Sequence, residues 1–160
     1  MLDCSKAPGV IKKSPEHFKV HEVDEQGRRL HPIFRTAIKV SHAPYTKYVM
    51  TKRNTSHERA MHEIARQLNV TQSAITTCGK KDACAVTVQH IVVEGKHGSE
   101  FEHEDMWLQQ IGPALYPLRP GMNNGNHFTI FVETDALTAP KADRFRNIFG
   151  PQRFGDGKVD

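Results

Sequence analysis

The chain has 160 residues, 38% hydrophobic and 25% charged, with a formal net charge of +4 and a mean hydropathy of -0.56. That is the length of one polar, soluble domain with enough interior for a core. No run approaches the ~18 apolar residues of a membrane span, residues 1–13 show no apolar block with a cleavage site, and three cysteines are too few for a disulfide framework.

The charge is unevenly spread. Residues 1–53 hold 11 Lys/Arg against 5 Asp/Glu, and residues 54–160 hold 11 against 13. A polyanion is therefore expected to dock on the first third, if anywhere.

In chain order, Phe18, Val20, Glu22 and Val23 suggest a strand entered from the Lys12-Lys13-Ser14-Pro15 stretch. Ile33–Val40 and Tyr45–Thr51 read as two more strands around a Ser41–Pro44 turn. A helix is predicted from Ser56 to about Asn69, with Thr55 and Glu58 at capping-box spacing. Ala60, Met61, Ile64, Ala65 and Leu68 form its apolar stripe. Ala74–Thr77 reads as a short strand, Cys78–Asp82 as a polar loop turned by Gly79, and Ala85–Val93 as a strand. Glu94–Asp105, with five acids and one lysine, reads as a surface excursion that would repel phosphate. Met106–Ile111 is predicted as a brief helix, His127–Glu133 as a strand with Phe128, Ile130 and Val132 on one face, and Thr138–Phe149 as a helix. Residues 150–160 read as a loop or linker. The irregular alternation implies one α+β domain with a mixed, mostly antiparallel sheet flanked by helices.

Common catalytic signatures are missing. Cys78, Cys84 and His90 lack zinc-site spacing, so no metal is expected. Neither G-x-x-x-x-G-K-[ST] nor G-x-G-x-x-G occurs, and no serine sits in a G-x-S-x-G elbow. Asp82 remains, on a glycine-containing loop beside Lys80 and Lys81. Neighbouring cations favour the charged form of a carboxylate, the form a nucleophile or base needs.

Read together, five segments are specific. They are Lys13-Ser-Pro-Glu-His-Phe18-x-Val20-x-Glu22, then Lys52-x-Asn54-Thr55, then Gly79-x-Lys81-Asp82-x-x-Ala85-Val86-Thr87-x-Gln89, then Gly125-Asn126-x-Phe128, and finally Asn147-Ile-Phe-Gly-Pro-Gln-Arg153-Phe-Gly155. In this order they resemble the TruD family of tRNA pseudouridine synthases over about residues 8–157. The resemblance implies an enzyme that breaks the uracil–ribose bond, turns the base and rejoins it through carbon, with one aspartate and no cofactor. Asp82 falls on that aspartate, as nucleophile or base. The resemblance places Asn126 beside it and Phe128 as the stacking ring, with Phe18, Glu22 and Lys81 as active-site support. A core role stays open for Phe128 and Phe18, and a surface role for Glu22. Lys12, Lys13, Lys52, Arg53, Lys80 and Arg153 are the candidate RNA contacts.

The sequence also departs from the family. Members are usually more than twice as long, so the chain corresponds to the N-terminal portion of the catalytic domain. Ala83 and Cys84 follow the aspartate where basic or bulky residues are usual, and the G-[EQ]-H element is reduced to Gln26–His31. These departures define an alternative: a non-catalytic TruD-like RNA-binding or ribonucleoprotein-assembly subunit. The partners expected are RNA, tRNA first, and a protein supplying the missing half or a larger ribonucleoprotein, docked on an exposed sheet edge. The default location is the cytoplasm, with a mitochondrion or other organelle as the alternative.

Overall fold

The computed structural model describes residues 9–32, 43–95, 97–98 and 100–134. The expected strand at Ile33–Val40, the helix at Thr138–Phe149, the 150–160 loop and Arg153 lie outside the described residues.

Besides two 3-10 turns, Pro15–His17 and Gln72–Ala74, the described residues form nine strands and one α-helix: β1 (Gly9–Ile11), β2 (Phe18–Val23), β3 (Tyr45–Arg53), α1 (His57–Leu68), β4 (Ile75–Thr77), β5 (Val86–Glu94), β6 (Phe101–His103), β7 (Met106–Ala114), β8 (Gly125–Ile130) and β9 (Val132–Thr134). Seven strands form one sheet in the order β6-β7-β3-β5-β2-β8, with β4 beside the far half of β5, while β1 and β9 pair separately. The β2–β5 pair is parallel and the others are antiparallel. The expected α+β class with a mixed, mostly antiparallel sheet is what the chain adopts. No described helix is long and apolar enough to cross a membrane.

β3 and β5 occupy the middle and are buried along most of their length on both faces. Their Val, Ile, Tyr and Thr side chains suit a pleated, enclosed surface. On one face, Ala60, Met61, Ile64, Ala65 and Leu68 of α1 pack on Tyr48, Met50, Ile91, Val93, Met106 and Leu108. The stripe read from the helix is therefore core. On the opposite face Leu30, Val49 and Val88 form a smaller cluster.

Three expectations change. Met106–Ile111 is strand rather than helix: nine residues, Met106–Ala114, pair with Tyr45–Lys52, and Met106, Leu108, Gln110 and Gly112 turn inward alternately. The helix cap lies one residue later than expected. Thr55 gives its hydroxyl to the Arg53 carbonyl at 3.0 Å, so Ser56 Oγ accepts the Arg59 N–H at 3.1 Å, and Glu58 pairs with Lys80 at 2.7 Å. The His127–Glu133 strand is divided at Phe131: its N–H donates to the His17 carbonyl at 2.8 Å, and beyond it the chain leaves β2 for β1.

Candidate active site

The pleat sets the floor of the site. Register places Lys52 opposite Thr87, Thr87 opposite Val20, and Val20 opposite Phe128, so these four share one sheet face across β3, β5, β2 and β8. Phe18 and Glu22 lie on that face with Val20, opposite Ile130 and Asn126. Helix α1 covers the half of the face toward β7. The loop from Cys78 to Ala85, which carries Asp82, joins β4 to β5.

That loop is pinned at several points. Gln89 Nε2 donates to the Gly79 carbonyl at 3.2 Å, and Gly79 has φ +154, a backbone state side-chain-bearing residues rarely adopt. Lys52 Nζ donates to the Asp82 carbonyl at 2.5 Å and to the Thr55 carbonyl at 2.7 Å. The Asn54 N–H donates to the Ala85 carbonyl at 3.0 Å.

The Asp82 side chain is left 41% exposed, with Oδ1 accepting from Lys12 Nζ at 2.9 Å. The same ammonium sits 3.9 Å from the Phe18 ring centroid, a cation–π distance. Lys12 takes a left-handed backbone, φ 58, in this arrangement. The Phe18 ring meets Phe128 edge-on at 5.9 Å. Phe18 is buried with Val20 and Ala85, whereas Phe128 is 51% exposed. Carboxylate, ammonium and two aromatic rings thus form one continuous cluster, with Phe128 as its open face.

Not every expected residue faces outward. Lys81 turns inward: its side chain is 6% exposed, and its ammonium lies 3.5 Å from Oε2 of Glu22, itself 1% exposed. Burial raises the Glu22 carboxyl and Lys81 opposes the shift. Lys81, expected as active-site support, forms an internal ion pair beneath the loop. Lys52, expected as an RNA contact, is wholly buried. Burial lowers its ammonium to about 8, against the pull of Asp82 and Glu58. Lys13 pairs with Glu133, Arg53 with Glu16 and Asp105, and Lys80 with Glu58; these three reach solvent. Asn126 is exposed on β8 and makes no hydrogen bond to Asp82 in this structure.

The acidic stretch includes β6, at the opposite end of the strand order from β8 and Phe128. Among the described residues no cluster of three His, Cys, Asp or Glu could hold a metal. Cys78 is buried, which pushes its thiol up to about 11. Burial lowers His90 to about 4, so it is neutral where it meets Glu22 at 3.6 Å. Thr87 and Gln89, wholly buried beneath the loop, were quoted in the sequence without a role. The signal for them is a polar T-x-Q alternation at the start of a strand whose later part, Ile91–Val93, is apolar.

Comparison with known proteins identifies this architecture. The family described as "tRNA pseudouridine synthase D (TruD)" matches residues 1–160. The chain belongs to the TruD family. A relative from Nanoarchaeum equitans, named as a probable tRNA pseudouridine synthase D, is 34% identical over 158 residues, covering 93% of this chain and 41% of that protein. Pseudouridylate synthase PUS7L of Danio rerio is 31% identical over 137 residues, covering 71% of this chain and 21% of that protein. The TruD chain thus spans less than half the length of either relative. A crystal structure titled as a putative TruD from Methanosarcina mazei superposes with a TM-score of 0.61 at 23% identity, over 77% of this chain and 27% of that one, which establishes a shared fold.

Proposed function

We propose that this chain forms the catalytic face of an RNA pseudouridine synthase that isomerises a uridine in tRNA, with Asp82 as the reacting carboxylate. One observation carries the reading. The position that matches the family's aspartate holds an exposed carboxylate, joined through Lys12 to the Phe18–Phe128 pair. The names of the relatives supply the reaction class.

The reaction conserves atoms. The N1–C1′ bond of uridine breaks, the uracil turns, and a C5–C1′ bond forms; C5 loses a proton and N1 gains one. A uridine in folded RNA must first leave its stack, at a cost of a few kcal/mol. The open Phe128 ring offers a stacking face worth roughly 1–3 kcal/mol. Asp82 then acts as nucleophile or base on ribose or uracil, and the substrate shares or displaces the Lys12 ammonium. Asn126, two residues from Phe128, presents amide donors from the same strand face.

Pseudouridine mapping on tRNA, comparing the full chain with Asp82→Ala and Asp82→Asn, tests this. The expected result is product from the wild type and a loss of about 10²-fold or more in both variants. Equal rates in all three would remove Asp82 from the chemistry. If none makes product while all bind RNA with steep salt dependence, the non-catalytic RNA-binding reading replaces the enzyme.

A further inference from the structure

Lys52 is an unusual choice for its position. An ammonium sealed from water costs several kcal/mol unless it is well paired, and β3 is otherwise filled there by Tyr48, Val49, Met50 and Thr51. Yet Lys52 is wholly buried, and its two hydrogen-bond acceptors are main-chain carbonyls. One belongs to Asp82. The other belongs to Thr55, the residue before the Ser56 cap of α1. Two residues along, the Asn54 N–H holds Ala85 at the far end of the same loop.

We propose that Lys52 is a positioning residue, a clamp that ties the Asp82 main chain to the start of α1 and so fixes where the carboxylate stands. The proposal rests on the reading of Asp82 as the reacting group. Lys52 acts through the Asp82 backbone, leaving the carboxylate free for Lys12 and for substrate. Its ammonium faces Asp82, Lys81 and Cys84 of the loop and Glu58 of α1. A reacting group displaced by about 1 Å loses about 10²-fold in rate, so the clamp affects turnover without touching RNA.

The test compares the full chain with Lys52→Met, which keeps the length and removes the donors, and Lys52→Gln, which keeps a shorter neutral donor. Amide hydrogen exchange of residues 80–85 is read against β5, beside single-turnover rate and RNA affinity. In both variants the loop is expected to exchange about tenfold faster or more while β5 stays protected. The rate falls about 10²-fold for Met and less for Gln, and RNA affinity stays within about twofold, because a buried group releases no counterion. Unchanged loop exchange in whichever variant folds overturns the clamp. So does a weakened affinity with a shallower salt slope, which would make Lys52 a phosphate contact. Faster loop exchange in the Lys52 variants, beside a wild-type rate in Asp82→Ala, would keep the clamp and overturn the catalytic reading instead.

Discussion

Lys81 and Glu22 show what a single side chain can decide at this site. Each is almost closed to solvent, and their charged atoms lie 3.5 Å apart. A buried pair of this kind is costly to break from one side, by about 3–5 kcal/mol, because the remaining charge has no partner. Lys81→Met should therefore destabilise the fold by about that amount at pH 7, measured by urea unfolding. The pH dependence follows from the direction of the Glu22 shift. Burial holds its carboxyl above the ordinary range, so the stability linked to its protonation is present below the unfolded pKa and lost as pH rises through the folded value. Without Lys81 that value rises further, so the gap between variant and wild type should narrow on going from pH 7 to pH 5. A gap that stays constant would mean the pair contributes nothing electrostatic. Sequence makes Asp82 legible, because its motif is specific, but not the direction of Lys81. A lysine beside an exposed acid reads as a surface cation. Its inward turn goes with its ion pair to Glu22 of β2, which lies 59 positions away in the chain.

Elements with their own local signals are legible, and those that depend on distant partners are not. The α1 stripe recurs at helical spacing and packs as the sequence implies. For Met106–Ile111, Trp107, Leu108 and Ile111 imitate a helical face, while the buried Gln110 spoils the alternation of a strand. Pairing with Tyr45–Lys52, more than 50 residues earlier, decides the outcome. The cap of α1 is a finer case, since Thr55 and Ser56 are both good capping residues. The geometry gives the role to Ser56, whose Oγ accepts the Arg59 N–H. Ser56→Ala should cost about 1 kcal/mol of stability in chemical denaturation. Thr55→Ala should cost less, because the Thr55 hydroxyl is occupied by the Arg53 carbonyl. The reverse order would restore the capping box at Thr55.

Across the whole molecule, the basic excess of residues 1–53 is partly spent within the protein. Lys12 faces Asp82, Lys13 faces Glu133, Arg28 faces Asp24, and Arg53 faces Glu16 and Asp105. Counting cations in sequence therefore overstates what is ready for phosphate, because all of these acids except Asp24 arrive from distant segments. The Arg53 pairing is firm enough to hold the Glu16 carboxyl down at about 2, so this acid keeps its charge throughout the neutral range. On the proposed RNA reading, each phosphate contact made by a cation releases counterions and steepens the salt dependence by about 0.7–0.9 in log–log slope. Glu133→Gln and Glu58→Gln free Lys13 and Lys80 from their exposed partners. Each should tighten tRNA binding at low salt and steepen the slope by up to about that amount. Glu102→Gln is the control. It makes the same change of net charge on β6, at the opposite end of the strand order from β8. If the Glu102 variant tightens binding as much as the other two, RNA responds only to total charge, and Lys13 and Lys80 lose their assignment as contacts. A slope that moves only for Glu133 and Glu58 places the phosphate path along the side of the sheet that carries Asp82 and Phe128.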